Sequence, residues 1–600
     1  MKRIITAFAC LALMLSLAAC GADTHEPVEE KGQSYADIFK VINEVYDYEG
    51  GLRVFNGAFK SEMMVEDTAA SESAPAADYS GTNVQVEGID EGDIVKTDGE
   101  YIYALSGNEL RIFKADGENT ALVKSLKVCD EENCWVREMY LCGDKLVIVA
   151  GEYEICYDGV FRANVEYTPP KTKLLVYDVA EPENISYVNC MGQDGSFVSS
   201  RLYDESVYLV TRYNVGGKVS EENPETYIPS IICNDKAELL PADDICIMVD
   251  ADCACYTVVT KFDISSGEND SVSLLGGCDT VYMSANNLYT AYSSYTEETS
   301  EPYTVDMYTV TDYKSISETK LCRIDLASMT VAAEGSIPGN LESQFSMDEY
   351  NGCLRLVATD NAYSYSIYTD EKNGFENYKP IEDAKSSTGL YILDGSLNQL
   401  AAIDGLAETE YVRSVRFDGD FVYFCTFRQT DPLFAVNVAD PNNPVILSEY
   451  KISGFSEYLH PWSDGLLFGL GMEADENTGA TDGLKLVMFD VSDKADVKAL
   501  HTMNIPDGWT EALYDHHALL ISPEKGIIGF DSGNAYTIYG YDADSGFNKL
   551  ASITRDENNW YSSRGMYIGD FAYIVTGNGV TVLDMQSFEV VATIDCPAAE

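Results

Sequence analysis

Between Val412 and Gly465 the chain alternates short apolar runs with turn residues. One run, Val412 to Phe417, stops at Asp418-Gly419, and a second fills Phe421 to Phe427. A third covers Leu433 to Val438; after Asp440-Pro441-Asn442-Asn443-Pro444 a fourth runs from Val445 to Ile452. The Asp-Gly, Asp-Pro and Asn-Pro corners supply the φ values that tight turns need. Phe421 to Phe427 is apolar on both faces, the pattern of a strand with a sheet packed on each side. Four short antiparallel strands, stacked face to face and repeated, make a β-propeller blade.

The same pattern recurs along most of the chain. A turn precedes the second strand at Asp98-Gly99, Gly143-Asp144, Asn351-Gly352, Asp464-Gly465 and Gly569-Asp570. The third strand often ends in aspartate, as in LLVYDV (174–179), CRIDL (322–326), VMFDV (487–491) and TVLD (581–584). Such an aspartate can bond its own backbone and turn the chain into the fourth strand. Nine modules can be counted, centred near residues 105, 160, 240, 300, 370, 430, 480, 530 and 578. Because propellers usually carry about 4–8 blades, an eight-bladed ring is favoured, with seven or nine in reach. Segments 212–255 and 293–318 read as insertions that form loops on one face. The predicted fold class is all-β: a propeller of four-stranded antiparallel blades preceded by one N-terminal helix.

The N-terminus follows a different pattern. Lys2 and Arg3 precede an apolar run, Ile4 to Leu17, too short for a membrane span of about 20 residues. The run ends in Leu17-Ala18-Ala19-Cys20, which resembles a bacterial lipobox. That resemblance implies a signal peptide over 1–19, a lipidated Cys20, and a chain lipid-anchored to the cell membrane on its extracytoplasmic side. Residues 20–32 read as a tether. Tyr35, Ile38, Phe39, Ile42, Val45 and Tyr46 recur at helical spacing, predicting an amphipathic helix over 33–50 with Ser34 as N-cap and Gly50-Gly51 as a stop. This helix is expected to pack on the propeller. Residues 51–81, Ala-, Ser- and Glu-rich over 66–80, read as a flexible linker, and 82–600 as the propeller.

Composition narrows the partners. With 99 acidic against 39 basic residues the net charge is −60, so polyanions are repelled and nucleic acid is excluded. The 41 Tyr and 22 Phe against 4 Trp suit half-buried strand surfaces. Of 16 cysteines, 14 remain once Cys10 and Cys20 are set aside. Cys322, Cys353 and Cys425 sit within strands as small buried hydrophobes, whereas Cys129 and Cys134 can close a loop, and Cys246 can meet Cys253 or Cys255. No C-x-x-C, G-x-S-x-G, H-E-x-x-H or Walker loop occurs, so the corresponding zinc, hydrolase and nucleotide signatures are absent.

Candidate sites are few. His460, in Tyr458-Leu459-His460-Pro461-Trp462, opens an innermost strand and is a candidate for the channel wall, although a histidine bonded to a backbone carbonyl between blades is the favoured account. Arg416, and Arg428 braced against Asp431, are candidate ligand contacts at the channel mouth. Asp90, Glu91 and Asp93 cluster ahead of the first strand and offer the oxygen donors that hard cations prefer. No cofactor is expected, Ca2+ being the ion such a cluster would take. His516-His517 after Asp515 could ligate a metal, but adjacent residues of a strand point to opposite faces.

The phrases TNVQVEGIDEGDIVKTDGEYIY (82–103), QFSMDEYNGCLRLVAT (344–359), SVRFDGDFVYFCTFRQTDPLF (414–434) and SGFSEYLHPW (453–462) resemble a family of secreted bacterial proteins with a C-terminal β-propeller domain, distantly similar to WD-repeat propellers. The resemblance implies an extracytoplasmic propeller and no particular reaction. The reading that follows is a non-catalytic protein binding an extracellular protein or glycan, with the membrane touched only through the lipid anchor. The alternatives are an enzyme acting on a glycan at the channel mouth, or an envelope-complex scaffold docked through the helix.

Overall fold

The computed structural model describes residues 34–48 and 78–596, except 130–132, 153–168, 217–218, 234–235, 250, 252, 371, 373, 382–384, 428–430, 476–477 and 555–561. The expected signal peptide, lipidated Cys20 and tether, and most of the expected linker, lie outside them.

In the reference unit the strands are Tyr411–Asp418, Phe421–Phe427, Asp431–Asn437 and Val445–Ile452, paired in that order. The second strand is almost wholly buried, as its two-sided apolarity requires, while the fourth alternates in exposure. Phe424 and Phe434 stack across the middle strands at 4.9 Å. Burying one such ring stabilises by about 1.5–3 kcal/mol.

Nine sheets built on this four-strand order follow one another among the described residues. That is the number of modules countable in the sequence, within the expected range of seven to nine. Each sheet seals against the next through its own apolar cluster. Tyr103, Ile112, Met139 and Ile148 join the first and second blades. Ile102 and Phe113 of the first meet Met566 and Tyr573 of the ninth, closing the ring. The outermost strands alternate half-buried and exposed positions, as in Lys498–Ile505.

Two insertions expected as loops are strands instead. Ser230–Cys233 and Lys236–Leu239 add to the outer edge of the second blade, and Ile245–Ile247 lies parallel to Asn269–Leu275 in the third. In the fourth blade, Asn287–Thr299 and Tyr308–Asp325 run far beyond the ring as one ladder, joined by Tyr363–Asp370 and Glu376–Pro380 from the fifth module. Their Tyr-, Thr- and Val-rich alternation is strand chemistry, and each edge satisfies backbone groups the next would leave open.

Helix α1 (Tyr35–Tyr48) forms as expected. The Ser34 hydroxyl accepts from the Asp37 backbone N–H at 3.3 Å and donates to the Asp37 carboxylate at 2.6 Å, fixing the first turn. Ile38 and Ile42 are fully buried among residues of the second and third blades. Tyr35 donates to the Leu240 carbonyl at 2.8 Å, and Phe39 packs on Tyr227 at 5.3 Å.

The chain rejoins the ring at Asp78 and crosses its centre before entering the first strand, Val95–Thr97. Tyr79 bridges to Ile568 of the ninth blade. Asn83 donates to the Tyr458 hydroxyl and the His516 carbonyl, in and after the seventh blade. Gln85 donates to the Gln344 and Met347 carbonyls at the fifth, Asp90 bridges Leu202 of the third, and Asp93 bridges Met139 of the second. Residues 79–94 are thus a strap threaded over the innermost strands, so the segment before Val95 is part of the fold.

Candidate functional site

The strap carries charge into the hub. Glu91 is almost wholly buried. Its Oε1 accepts the Gln85 backbone N–H at 2.9 Å and faces Arg201 Nε at 3.7 Å; its Oε2 faces His516 Nε2 at 3.3 Å and His517 Nε2 at 3.6 Å. Burial works to raise this carboxyl, but Arg201 and the two histidines outweigh it and hold it well below the usual carboxylate range. Lys96, also buried, donates to Asp90 at 2.8 Å and to the Thr82 hydroxyl at 2.7 Å.

A second knot lies beside it. Arg564, at the start of the ninth blade's first strand, bonds Asp93 at 2.9 Å and Asp515, and lies 3.6 Å from Glu511. Burial opposes the guanidinium charge, but these three carboxylates raise its affinity for the proton. Asp515 is held ionised in turn, Arg564 and His517 outweighing its desolvation. A cavity of about 310 Å3 opens here, lined by Asp93, Arg137, Glu138, Glu511, Asp515 and His517 among others, with the half-exposed Trp509 at its edge. Desolvation raises the Glu138 carboxyl, opposed by a hydrogen bond from Ser200 and by Arg201.

The sequence candidates disperse. Asp90, Glu91 and Asp93 share the strap but turn to different partners: Lys96, the histidine pair and Arg564. His460 is buried in the wall, its Nδ1 2.6 Å from the Tyr458 hydroxyl, and desolvation followed by Arg416 pushes its pKa well below the ordinary histidine value. Arg416, on the innermost strand of the sixth blade, is also buried. Neither lines the cavity. Arg428 and the Asp431 side chain lie outside the described residues. Cys129 and Cys134 form the expected disulfide, with Cα atoms 6.0 Å apart. Cys246, Cys253 and Cys255 do not join in one; Cys253 Sγ instead lies 2.7 Å from Cys255 Sγ.

His516 and His517 occupy a 3-10 turn, His516–Ala518, and not a strand, so the alternation that would have separated them does not apply. Their rings lie 3.7 Å apart. Asp515 caps the turn, accepting the His517 backbone N–H at 3.0 Å, with His517 Nδ1 2.9 Å from the same carboxylate oxygen. An aspartate directly before the pair was the available signal for such a turn. Arg564 carried none.

A second candidate surface stands on the fourth-blade extension. In an antiparallel ladder, directly opposed residues share a face. The pairs Tyr295↔Ser317, Glu297↔Ser315, Tyr363↔Ser315, Tyr313↔Tyr365 and Tyr378↔Ile367 therefore put five tyrosines on one face. Tyr313 and Tyr365 stack at 4.9 Å, Tyr365 and Tyr378 lie at 4.7 Å, and the Tyr365 hydroxyl donates to Glu297 at 2.8 Å. Tyr295, Tyr363 and Tyr378 are 62%, 49% and 51% exposed, large values for side chains that usually bury their rings.

Two relatives match nearly end to end: an uncharacterized protein of Methanocaldococcus jannaschii, 25% identical over 99% of this chain and 98% of its own length, and one of Archaeoglobus fulgidus, 28% identical over 99% and 100%. Both are archaeal, so the likeness reaches beyond the bacterial proteins. Among solved structures, a putative 6-phosphogluconolactonase from Bacteroides fragilis is 11% identical, covering 57% of this chain and 91% of that one at a TM-score of 0.28. The dihydro-heme d1 dehydrogenase NirN is 11% identical, covering 71% of each chain at 0.32. Neither likeness bears on function. The Beta propeller domain family model matches residues 79–588, from the strap to the ninth blade, and the chain belongs to that family.

Proposed function

We propose that this is a non-catalytic binding protein, lipid-anchored through Cys20 outside the cell membrane, whose ligand is a neutral extracellular glycan laid on the tyrosine face of the fourth blade. The five-tyrosine array carries the reading. Stacked, exposed rings present flat apolar surface together with hydroxyls, which suits the C–H faces and hydroxyl rims of sugars and loses little rotamer entropy on binding. Nearby carboxylates and the net charge of −60 disfavour anionic ligands. The anchor rests on Lys2, Arg3, the apolar run and the Leu17–Cys20 phrase. The Cys129–Cys134 disulfide suits an oxidising compartment, and no described helix is long and apolar enough to cross a membrane.

The alternatives have less support. A glycosidase needs two carboxyl groups in complementary roles. Of the acids lining the hub cavity, Asp93, Glu511 and Asp515 all face Arg564, leaving Glu138 without a matched second acid among them. A scaffold docked through α1 would want its apolar face open, and Ile38 and Ile42 are covered.

Thermal melting against a panel of neutral and acidic glycans tests the reading. A neutral glycan at about a hundred times its Kd should raise the midpoint by the equivalent of about 2.7 kcal/mol. A shift with acidic glycans alone, or with none while a peptide ligand shifts it, overturns the glycan assignment. For the anchor, Cys20→Ala should release the protein from the membrane fraction; unchanged membrane association contradicts lipidation there.

A further inference from the structure

We propose that Glu91, His516 and His517 form a binding site for a divalent first-row transition metal ion, with Zn2+ as the reference case, at the hub of the ring. One atom of each residue converges so that all three lie within 4.8 Å of one another. The spacing is the first argument. His516 Nε2 and His517 Nε2 lie 3.3 and 3.6 Å from the same oxygen, Glu91 Oε2. Charge-assisted hydrogen bonds between such groups close to about 2.7–2.9 Å. Ligands held at about 2.0–2.2 Å around one tetrahedral ion stand roughly 3.3–3.6 Å apart. The observed separations are those of ligands around one ion, and they equally let both histidines hydrogen-bond Glu91 while no ion is bound.

Orientation is the second argument. Glu91 Oε1 is pinned by the Gln85 backbone N–H, and Oε2, which also accepts from Gln344 Nε2 at 3.4 Å, is turned to both imidazoles. His517 Nδ1 lies 2.9 Å from Asp515 Oδ1, the carboxylate–histidine arrangement that fixes a metal-bound imidazole with Nε2 forward. Two imidazole nitrogens and one carboxylate oxygen suit zinc, iron or their neighbours, whereas calcium prefers an all-oxygen shell. Three protein ligands leave a fourth position, and His517 lines the 310 Å3 cavity from which a water could fill it.

Charge is the third. Among the described residues, the hub and the cavity beside it gather the carboxylates of Asp90, Glu91, Asp93, Glu138, Glu511 and Asp515 against Lys96, Arg137, Arg201 and Arg564. A divalent ion would offset that excess of negative charge. Because Glu91 lies on the strap and the histidines follow the seventh blade, the ion would also staple the strap to the ring.

Metal analysis of the full chain, purified without chelator and reloaded after chelator treatment, tests this. We expect about one tightly held ion per chain. Titration of the apo chain with Co2+ should give visible d–d bands of a four-coordinate site. Glu91→Gln and His517→Ala should abolish the bands, while His501→Ala, outside the hub, should keep them. Since the hub variants risk misfolding, His517→Cys provides a second arm: a folded variant that binds Co2+ should add a thiolate charge-transfer band absent from the parent. Folded parent chain that binds neither Zn2+ nor Co2+ overturns the proposal, leaving an ion pair between Glu91 and the histidines. Bands that survive in folded His517→Ala likewise overturn it.

Discussion

The hub and the tyrosine face use polar side chains in opposite ways. In the hub, Glu91, Lys96, Arg201 and Arg564 are buried, so each charge needs a fixed partner, and the strap exists in part to bring such partners in. On the fourth-blade extension Tyr295, Tyr363 and Tyr378 stay wet, so water can reach their rings and hydroxyls. The strap fills the axis of the ring, whereas the outer ladder extends beyond it. The first region is costly to alter. The second is free to vary, and it is where ligand recognition can be placed without loss of stability.

The largest expected effect follows from breaking the hub. Arg564→Met leaves Asp93 and Asp515 buried without their counter-ion, and the urea midpoint should report a loss of about 3–5 kcal/mol. A loss below about 1 kcal/mol would mean that water already reaches these carboxylates.

Next comes pH. Glu457, on the innermost strand of the seventh blade, is pushed up to about 7 by burial, against the pull of Arg413 3.6 Å away. A carboxyl that holds its proton more tightly when folded stabilises fully below its unfolded value near 4.5, and that contribution is lost as pH rises through about 7. The parent should therefore gain on Glu457→Gln between pH 7 and pH 4.5, by on the order of 2–3 kcal/mol. Urea midpoints of both proteins at the two ends of that window provide the check, and a difference independent of pH would contradict it.

The smallest stability effect belongs to the outer face. Tyr365→Ala, which removes the ring between Tyr313 and Tyr378, should cost less than about 1 kcal/mol of stability. It should nonetheless weaken glycan binding about tenfold or more, as for the central residue of a binding patch. Loss of stability comparable to that of the Arg564 variant would make the tyrosine ladder part of the core.

The blades were legible because period-2 apolarity and turn residues are local signals: Phe421–Phe427 and Val445–Ile452 have the bounds the pattern gives. Helix α1 was legible down to its cap at Ser34 for the same reason. The hub was not legible, because its pairs join residues hundreds apart: Asp93 with Arg564, and Glu91 with His516. No local pattern encodes that contact. Yet three of the phrases that carried the family resemblance bring residues to this centre: the strap, Gln344 and Tyr458-Leu459-His460. The tyrosine face was hidden because its strands come from two modules, one part reading as the insertion 293–318 and the other as the ordinary module near residue 370.

The central claim, that ligand is taken on the outer ladder and not at the hub mouth, is tested most directly by titrating one neutral glycan into three proteins. These are the parent, the double variant Tyr365→Ala/Tyr378→Ala, and Trp509→Ala at the edge of the hub cavity. The account predicts that the double variant loses measurable binding while keeping its melting midpoint, and that Trp509→Ala binds as the parent does. Binding abolished by Trp509→Ala and retained by the tyrosine variant would contradict it and move the ligand to the axis.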